Sequence, residues 1–439
     1  MIDKILNLIK KFIPKKLFKT LQPAYHFLFG YLAAVWYGHP SNEMIVVGVT
    51  GTTGKTTSIF LAADMLKSAG YKVGYISTAM LGDGEKEWLN DKKMTMLGRF
   101  FTQKMLSRMK NNNCDVVVIE TTSEGIAQFR HRFINYDTLL FTGLYPEHIE
   151  SHGDFETYKK TKGKLFAHLK RCKSKNIKGK KIEKIIIVNA DDEYADYFMN
   201  FWADKKITFG ISDNAKTTKA TNINSDEKGI SFSINNLEIE MQLLGKFNVA
   251  NALAAVCVGA SLDLSLEKIK TGLEKIKGVP GRLERINEDQ AFTVIVDYAF
   301  EPNAVTKLYE TVKSVPHNKV IHVLGSTGGG RDRSRRPKLG KLAGENADYI
   351  IVTNEDPYDE DPAQIINDIE SGVTNHELGK DFWKILDRRK AIKKALSLAQ
   401  EKDIVLVTGK GSEQAMCVAN GNKIPWDDRK IIREILQEL

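Results

Sequence analysis

The chain has 439 residues, 42% hydrophobic and 27% charged, an ordinary globular composition long enough for two or three domains. That excludes a disordered chain, a collagen-like repeat and a disulfide mini-protein. A total of 64 Lys+Arg against 55 Asp+Glu leaves +9, which fits anionic substrates, nucleic acid or a membrane surface without choosing among them. Cys114, Cys172, Cys257 and Cys417 are far apart and form no CxxC. Neither a zinc site nor a disulfide framework is expected, and a reducing cytoplasm fits.

Residues 1–42 stand apart. Lys4, Lys10, Lys11, Lys15, Lys16 and Lys19 alternate with apolar residues, and the apolar run Ala24–Gly38 follows. That run is about 15 residues, short of the ~20 needed to span a bilayer. No small-residue cleavage site follows it. The expectation is helices packed on the first domain. A basic interfacial helix that visits anionic lipid is the sharper alternative, and a transmembrane anchor the remotest.

In chain order, Met44–Val49 reads as a strand that opens a glycine-rich loop, and Ser58–Ala69 as the helix after it. Lys72–Ser77, Asp115–Glu120, Thr138–Leu144, Ile185–Asn189 and Ile207–Gly210 are short β-branched runs between helical patterns, as in parallel α/β units. The lysine-rich stretch 171–184 reads as a solvated loop. Residues 216–244 read as short alternating strands, and Phe247–Gly259 returns to helix. Lys277-Gly278-Val279-Pro280-Gly281-Arg282 has the punctuation of a linker. Thr293–Asp297, Val320–Gly325, Tyr349–Thr353 and Ile404–Thr408 then begin a second α/β series. The expected fold is α/β: a short helical N-terminal segment (1–43), a P-loop central domain (44–278) and a Rossmann-like C-terminal domain (279–439). Ligands on such sheets bind beyond the carboxyl ends of the strands, so the interdomain cleft is the expected active site.

The strongest local signal is Val49-Thr50-Gly51-Thr52-Thr53-Gly54-Lys55-Thr56-Thr57, between a predicted strand and a predicted helix. Glycines let backbone N–H groups turn around phosphate oxygens, Lys55 supplies a cation, and Thr56 is placed to bind Mg²⁺. The strict pattern wants glycine at 49, where this chain has valine. The loop implies nucleotide binding but no particular reaction. Glu120 ends a buried-looking strand where a second metal ligand belongs, and His148 follows the strand Thr138–Leu144.

With these features the chain resembles the Mur ligases of peptidoglycan synthesis, specifically the MurE type. These are ATP-dependent amide-bond ligases that add the third residue to UDP-N-acetylmuramoyl-L-alanyl-D-glutamate. Thr50–Thr57 is similar to their TGTNGKTT loop, with Thr53 replacing asparagine. The segment Glu120–Arg130 is similar to EVSSHALDQGR. The resemblance implies Glu120 and His148 on Mg²⁺, and Ser123, Gln128 and Arg130 on the muramoyl-dipeptide. His152–Lys162 resembles HGDMEAYEAAK, which implies that Lys162 is carbamylated and becomes an anion able to hold a second Mg²⁺. Thr95 alone matches the acceptor-loop TT segment. Gly245–Ala252 resembles GxFNxxNA and implies Asn248 and Asn251 near ATP.

In the second half, Gly278–Glu284 resembles GVPGRME, implying a phosphate role for Arg282. Asp297–Pro302 resembles DYAHTP: Asp297 and Tyr298 match, while Phe300 and Glu301 replace histidine and threonine. Gly325–Arg333 resembles GCGGDRDK with one extra residue, and Arg331 is assigned to the amino-acid carboxylate. Glu355-Asp356-Pro357-Tyr358 stands where the family has DNPR, so Tyr358 replaces the arginine that would hold a distal carboxylate. Asp356, Asp359, Glu360 and Asp361 form an acidic rim expected to favour a cationic end such as lysine's, without excluding meso-diaminopimelate. Gly409–Glu413 resembles GKGHE, implying Gly409 and Glu413 on the amino acid, with Ser412 in place of histidine. Pro425–Arg429 resembles the closing PFDDR.

MurE proteins usually carry a larger N-terminal domain that grips the uridine nucleotide, whereas residues 1–43 alone precede the loop strand here. Either this segment holds the UDP end or the acceptor is a non-uridine or lipid-linked one. The expected reaction runs through an acyl phosphate, with Lys55, His148 and Lys162 the catalytic residues. ATP, Mg²⁺, a UDP-muramoyl-dipeptide and an amino acid are the expected ligands. Folylpolyglutamate synthase, cyanophycin-synthetase-like and pseudomurein-type ligases are rivals, as is a silent nucleotide-binding partner protein. Nucleic acid is not expected, because lysines are scattered rather than interleaved with aromatics. A cytoplasmic monomer is expected, with peripheral membrane contact through residues 1–42 left open.

Overall fold

The structure is a computed structural model that describes residues 15–92, 94–146 and 153–439. Helix α1 (Lys15–Trp36) comes first. A sheet then assembles from β1 (Ile45–Thr50), β2 (Val73–Ile76), β3 (Met80–Asp83), β4 (Glu87–Leu89), β5 (Val116–Glu120) and β6 (Thr138–Phe141). After a small hairpin, β7 (Lys175–Ile177) and β8 (Lys180–Ile182), it is completed by β9 (Ile185–Asn189), β10 (Lys205–Gly210) and β11 (Thr218–Lys219). The hydrogen-bonded order is β11-β10-β9-β6-β1-β5-β2-β3-β4. Pairs from β11 to β2 are parallel, and β3 and β4 return antiparallel. Sequence reading misses β3 and β4 because they are short edge strands whose Gly82, Asp83 and Glu87 interrupt any apolar run.

Central strands of a parallel sheet are covered on both faces and need near-continuous apolar sequence. Val46, Val47 and Val49 in β1 and Val116 to Ile119 in β5 have no exposed surface. Val47 and Val49 pack against Ile59 and Leu61 of α2 (Lys55–Ser68) and Leu253 and Val256 of the later α5 (Asn248–Ser261). Val46 and Ile119 face the other layer, with Leu106 of α3 (Arg99–Asn111) and Phe166 of α4 (Phe155–Leu169).

The antiparallel strands β12 (Thr221–Ser225), β13 (Ile230–Ile234) and β14 (Leu237–Met241) form a separate small sheet. The second large sheet holds β15 (Glu284–Ile286), β16 (Thr293–Asp297), β17 (Val320–Leu324), β18 (Tyr349–Thr353), β19 (Phe382–Ile385) and β20 (Ile404–Thr408). Its order is β15-β16-β20-β17-β18-β19, parallel except for β15. The α/β expectation therefore holds in both halves.

The stretch 171–184 is not the solvated loop expected. It holds the β7–β8 hairpin, and Lys175 and Lys184 are buried. Both reach Asp137: Lys184 Nζ lies 2.8 Å from Oδ1, and Lys175 Nζ donates to Oδ2. Val46 N donates to the same Oδ2 at 2.9 Å. Lysine stems cover apolar surface while the ammonium finds a partner, so counting lysines misjudged this segment. Burial lowers Lys175 to about 8.

Helix α1 packs on the first sheet's helical layer. Gly30, Ala33 and Ala34 are buried, and a Cβ on Gly30 would come 3.0 Å from the Phe133 ring. Phe27 and Phe133 meet edge to face with centroids 5.1 Å apart. Among the described residues no helix is long and apolar enough to cross a membrane.

Candidate active site

Strand register builds the site. Val49 pairs with Glu120 and Thr50 with Phe141, so β1, β5 and β6 end at one level. The loop Gly51–Gly54, Glu120 and Thr142–Tyr145 then converge beyond the strand ends. Gly54 has φ +78°, and a Cβ there would come 2.4 Å from Asn251 Oδ1. Only glycine fits so close an approach.

The loop is tied from several sides. Thr52 N donates to Gly143 O at 2.8 Å, and Thr142 Oγ1 to Thr53 O at 2.7 Å. Lys55 Nζ donates to Thr52 O at 2.7 Å. Lys162, from α4, is 1% exposed; its Nζ donates to Gly51 O at 2.8 Å and lies 4.6 Å from the Tyr158 ring centroid. Ser58 Oγ donates to Asn251 Oδ1 at 3.3 Å, and Asn251 Nδ2 to Asn248 Oδ1 at 2.7 Å. Thr57 follows Thr56 in the first turn of α2, a helix N-terminus whose free N–H groups suit a phosphate.

Thr56 Oγ1 donates to Glu120 Oε2 at 3.0 Å, and Thr78 N donates to the same oxygen at 2.7 Å. A hydroxyl and a carboxylate side by side are hard oxygen donors, which fits Mg²⁺. Among the described residues no group of three or more His, Cys, Asp or Glu forms a metal cage. His148 lies outside the described residues.

The acceptor wall joins the loop. Thr78 Oγ1 donates to Thr95 Oγ1 at 2.9 Å. Arg130 Nη2 donates to Gln128 Oε1 at 2.7 Å, and Arg99 Nη2 to Gln128 O at 2.7 Å. Thr95, Ser123 and Arg130 line the cavity, whereas Gln128 is not on its wall and instead orients Arg130. Burial lowers Arg130, and burial beside Arg130 lowers Arg99 to about 10.

Across the cleft, Arg282 lies 4.4 Å over the Tyr298 ring, Tyr298 meets Phe300 edge to face at 5.1 Å, and Arg335 lies 5.4 Å over Phe300. This alternation of rings and guanidiniums suits a base and its phosphates. Asp297 has both oxygens engaged by backbone: Leu283 N and Ala299 N donate at 2.7 Å each. Burial raises its carboxyl pKa. Its visible task is to fold the interdomain turn beneath Arg282.

The acidic rim differs from expectation. Asp356 Oδ1 accepts from Lys410 Nζ at 2.9 Å and Cys417 N at 2.7 Å. Asp359 accepts from Asn420 N, Glu360 pairs with Arg336, and Asp361 caps the helix Pro362–Glu370. These acids hold the fold. The acid that sequence reading passed over is Glu355, 2% exposed, whose Oε1 accepts from Thr327 Oγ1 at 2.7 Å while Oε2 has no hydrogen-bond partner among the described residues. A Cβ on Gly409 would come 2.4 Å from that oxygen, so the glycine leaves room for it. Burial, with Asp356 next, raises the Glu355 carboxyl pKa. Glu413 Oε2 accepts from Lys410 Nζ at 2.7 Å. Arg335, Lys410 and Thr78 were also missed, because each acts through a contact distant in sequence.

One cavity of about 620 Å³ gathers these groups. Its wall runs from the phosphate loop through Glu120, Lys162, Asn248 and Asn251 to Arg282, Asp297 and Tyr298, then to Arg331, Glu355, Asp356, Tyr358, Gly409 and Glu413.

Residues 49–259 match the Mur ligase middle domain, and residues 281–411 the Mur ligase glutamate ligase domain. A UDP-N-acetylmuramyl-tripeptide synthetase of Roseiflexus sp. (strain RS-1) is 37% identical over 418 residues, 93% of this chain and 81% of that protein. The chain belongs to the Mur ligase family. Members of this family are ATP-dependent amide-bond ligases of peptidoglycan synthesis. A UDP-N-acetylmuramoyl-L-alanyl-D-glutamate--2,6-diaminopimelate ligase of Geobacillus kaustophilus (strain HTA426) is 34% identical over 93% of this chain and 82% of its own. A solved structure of a ligase of that name superposes with TM-score 0.61 at 28% identity, over 90% of this chain and 79% of that one. Mycobacterium tuberculosis folylpolyglutamate synthase complexed with ADP shares the fold, with TM-score 0.67 at 15% identity over 89% of this chain and 92% of its own.

Proposed function

We propose that this Mur ligase is a tripeptide synthetase. It joins lysine or meso-diaminopimelate to UDP-N-acetylmuramoyl-L-alanyl-D-glutamate in the cytoplasm, as a monomer, with residues 44–278 and 279–439 as its two catalytic domains. The observation that carries the reading is the single cavity that joins the phosphate loop, the acceptor wall at Thr95, Ser123 and Arg130, and the pocket at Arg331 and Glu355.

In this reading the loop N–H groups and Lys55 hold the ATP phosphates, and Arg282, Tyr298 and Phe300 take the base and a phosphate. Asn248 and Asn251 keep the loop in shape. Thr56 and Glu120, with His148, hold Mg²⁺, which when bound neutralises charge on the phosphoryl oxygens. The acceptor carboxylate, placed by Arg130, attacks the γ-phosphorus; an acyl–phosphate bond forms and ADP leaves. The neutral amine then attacks the acyl carbon to form the C–N bond, phosphate leaves with the C–O bonding pair, and the surplus proton on nitrogen goes to the departing phosphate. Closure of the two sheets over the cleft keeps water from the acyl phosphate.

Lys162 serves as a carbamate. Its buried position at Gly51 O, beside the phosphate loop, supports the reading, because a carbamate there would offer oxygens to a second Mg²⁺. Loss of a signal from isotope-labelled bicarbonate in Lys162→Ala tests it.

Arg331 takes the amino-acid carboxylate. The unpartnered Glu355 Oε2 supports an amine on the incoming residue, and Tyr358 in place of arginine favours lysine over a residue with a distal carboxylate. Phosphate release with each amino acid in turn tests this assignment. A second reading, a lipid-linked acceptor, is favoured by one observation: the exposed apolar face of α1 lies beside the acceptor wall, through Phe27 against Phe129 and Phe133. Peripheral membrane contact through residues 1–42 belongs to the same reading.

A further inference from the structure

Helix α1 buries one face and leaves the other bare. Leu21, Leu28, Leu32, Val35 and Trp36 are 52%, 52%, 45%, 48% and 78% exposed. Positions 28, 32, 35 and 36 follow helical spacing, and 21 stands seven before 28, so they form one apolar stripe. Scattered exposed apolar residues are ordinary, but a contiguous stripe marks an interaction surface.

Charge selects the partner. From Lys4 to Gly38 the sequence has no Asp or Glu, while Lys4, Lys10, Lys11, Lys15, Lys16 and Lys19 precede the stripe. An apolar face led by lysines matches a surface that is anionic outside and apolar beneath. A second copy would satisfy the apolar stripe alone and bring two lysine clusters with no acid from this segment to pair them. Among the described residues no helix is long and apolar enough to cross a membrane.

Position gives the contact a consequence. Gly30 lies against Phe133 and 3.7 Å (as a built Cβ) from Arg99 Cδ, and Arg99 donates to Gln128, which orients Arg130. Exposed Phe100 meets Phe29 of α1 edge to face with centroids 6.4 Å apart, and exposed Met94 lies 3.0 Å from Arg130 Nη1. We propose that the exposed face of α1 docks on an anionic phospholipid bilayer and thereby seats the acceptor end of the cleft at the lipid–water interface. This rests on the proposed function only for what the cleft binds; the docking itself stands on α1.

The test is cosedimentation of the full chain with phosphatidylglycerol/phosphatidylcholine vesicles and with pure phosphatidylcholine vesicles. The expected result is binding to the anionic vesicles only, weakened by added salt, with a blue shift of emission that Trp36→Phe diminishes. The double variant Leu28→Asp/Leu32→Asp lowers the bound fraction about tenfold, while its circular dichroism and phosphate release with a soluble acceptor stay at the parent level. No binding to anionic vesicles, equal binding by the double variant, or a dimer in solution that the double variant dissolves overturns the proposal. Failure of the chain to ligate any amino acid leaves the vesicle result standing and counts against the proposed function alone.

Discussion

Thr56 Oγ1 and Glu120 Oε2 lie 3.0 Å apart, joining the first turn of α2 to the end of β5. The two residues come from different parts of the chain, and the pairing of Val49 with Glu120 brings them together. Glu120→Gln keeps the hydrogen bond and removes the charge. Phosphate release is expected to fall about a hundredfold or more at saturating substrates, with the thermal midpoint at or above the parent's. Steady-state kinetics with calorimetry check both parts.

Glu355→Gln is expected to separate activity from stability. Gln retains the bond to Thr327 but offers no anion to an amine, so KM for the amino acid rises about 10–100-fold while KM for ATP is unchanged. The folded-state pKa of Glu355 is raised above 4.5 by burial. The native state therefore binds the extra proton, and stability is lost as pH rises from 4.5 through the raised value. The variant lacks that loss. Its midpoint stands above the parent's at about pH 8, and the gap closes toward about pH 4.

Buried histidines act with the opposite sign. His322 sits between Tyr309 OH at 2.6 Å and Thr408 Oγ1 at 2.9 Å, and burial with Arg388 nearby lowers it to about 3. Burial lowers His168 to about 4. The unfolded chain takes up these protons first, so the stability is present above pH 6.5 and lost as pH falls toward 3. His322→Asn is expected to flatten the acid limb of a denaturation–pH curve, measured by urea titration.

Asp137 carries two buried lysines. Asp137→Ala leaves both ammonium groups without their carboxylate and is expected to cost about 3–5 kcal/mol. Equilibrium denaturation of parent and variant measures it.

The limits of sequence reading are clear in these residues. The phosphate loop was legible because strand, glycines, lysine and helix are contiguous, and β9, β16, β18 and β20 were legible because a doubly covered strand must be apolar throughout. Glu355 was passed over for its neighbour Asp356. Its value lies in an oxygen left without a partner, which depends on Gly409 and Thr327, both distant in sequence. The acidic rim misled for the same reason: Lys410, in the loop after β20, and Arg336, on the helix Arg335–Asn346, consume it from distant parts of the chain. Lys175 and Lys184 looked solvated until the hairpin placed them on Asp137.

The central claim is that one cavity couples ATP cleavage to amide formation on a muramoyl-dipeptide. The most direct measurement is phosphate release with ATP, Mg²⁺ and UDP-N-acetylmuramoyl-L-Ala-D-Glu, with lysine and meso-diaminopimelate in parallel and Lys162→Ala as control. The account predicts release that requires both the dipeptide and an amino acid, faster with lysine, and lost in the control. Release that needs neither co-substrate, or none with either amino acid, would contradict it.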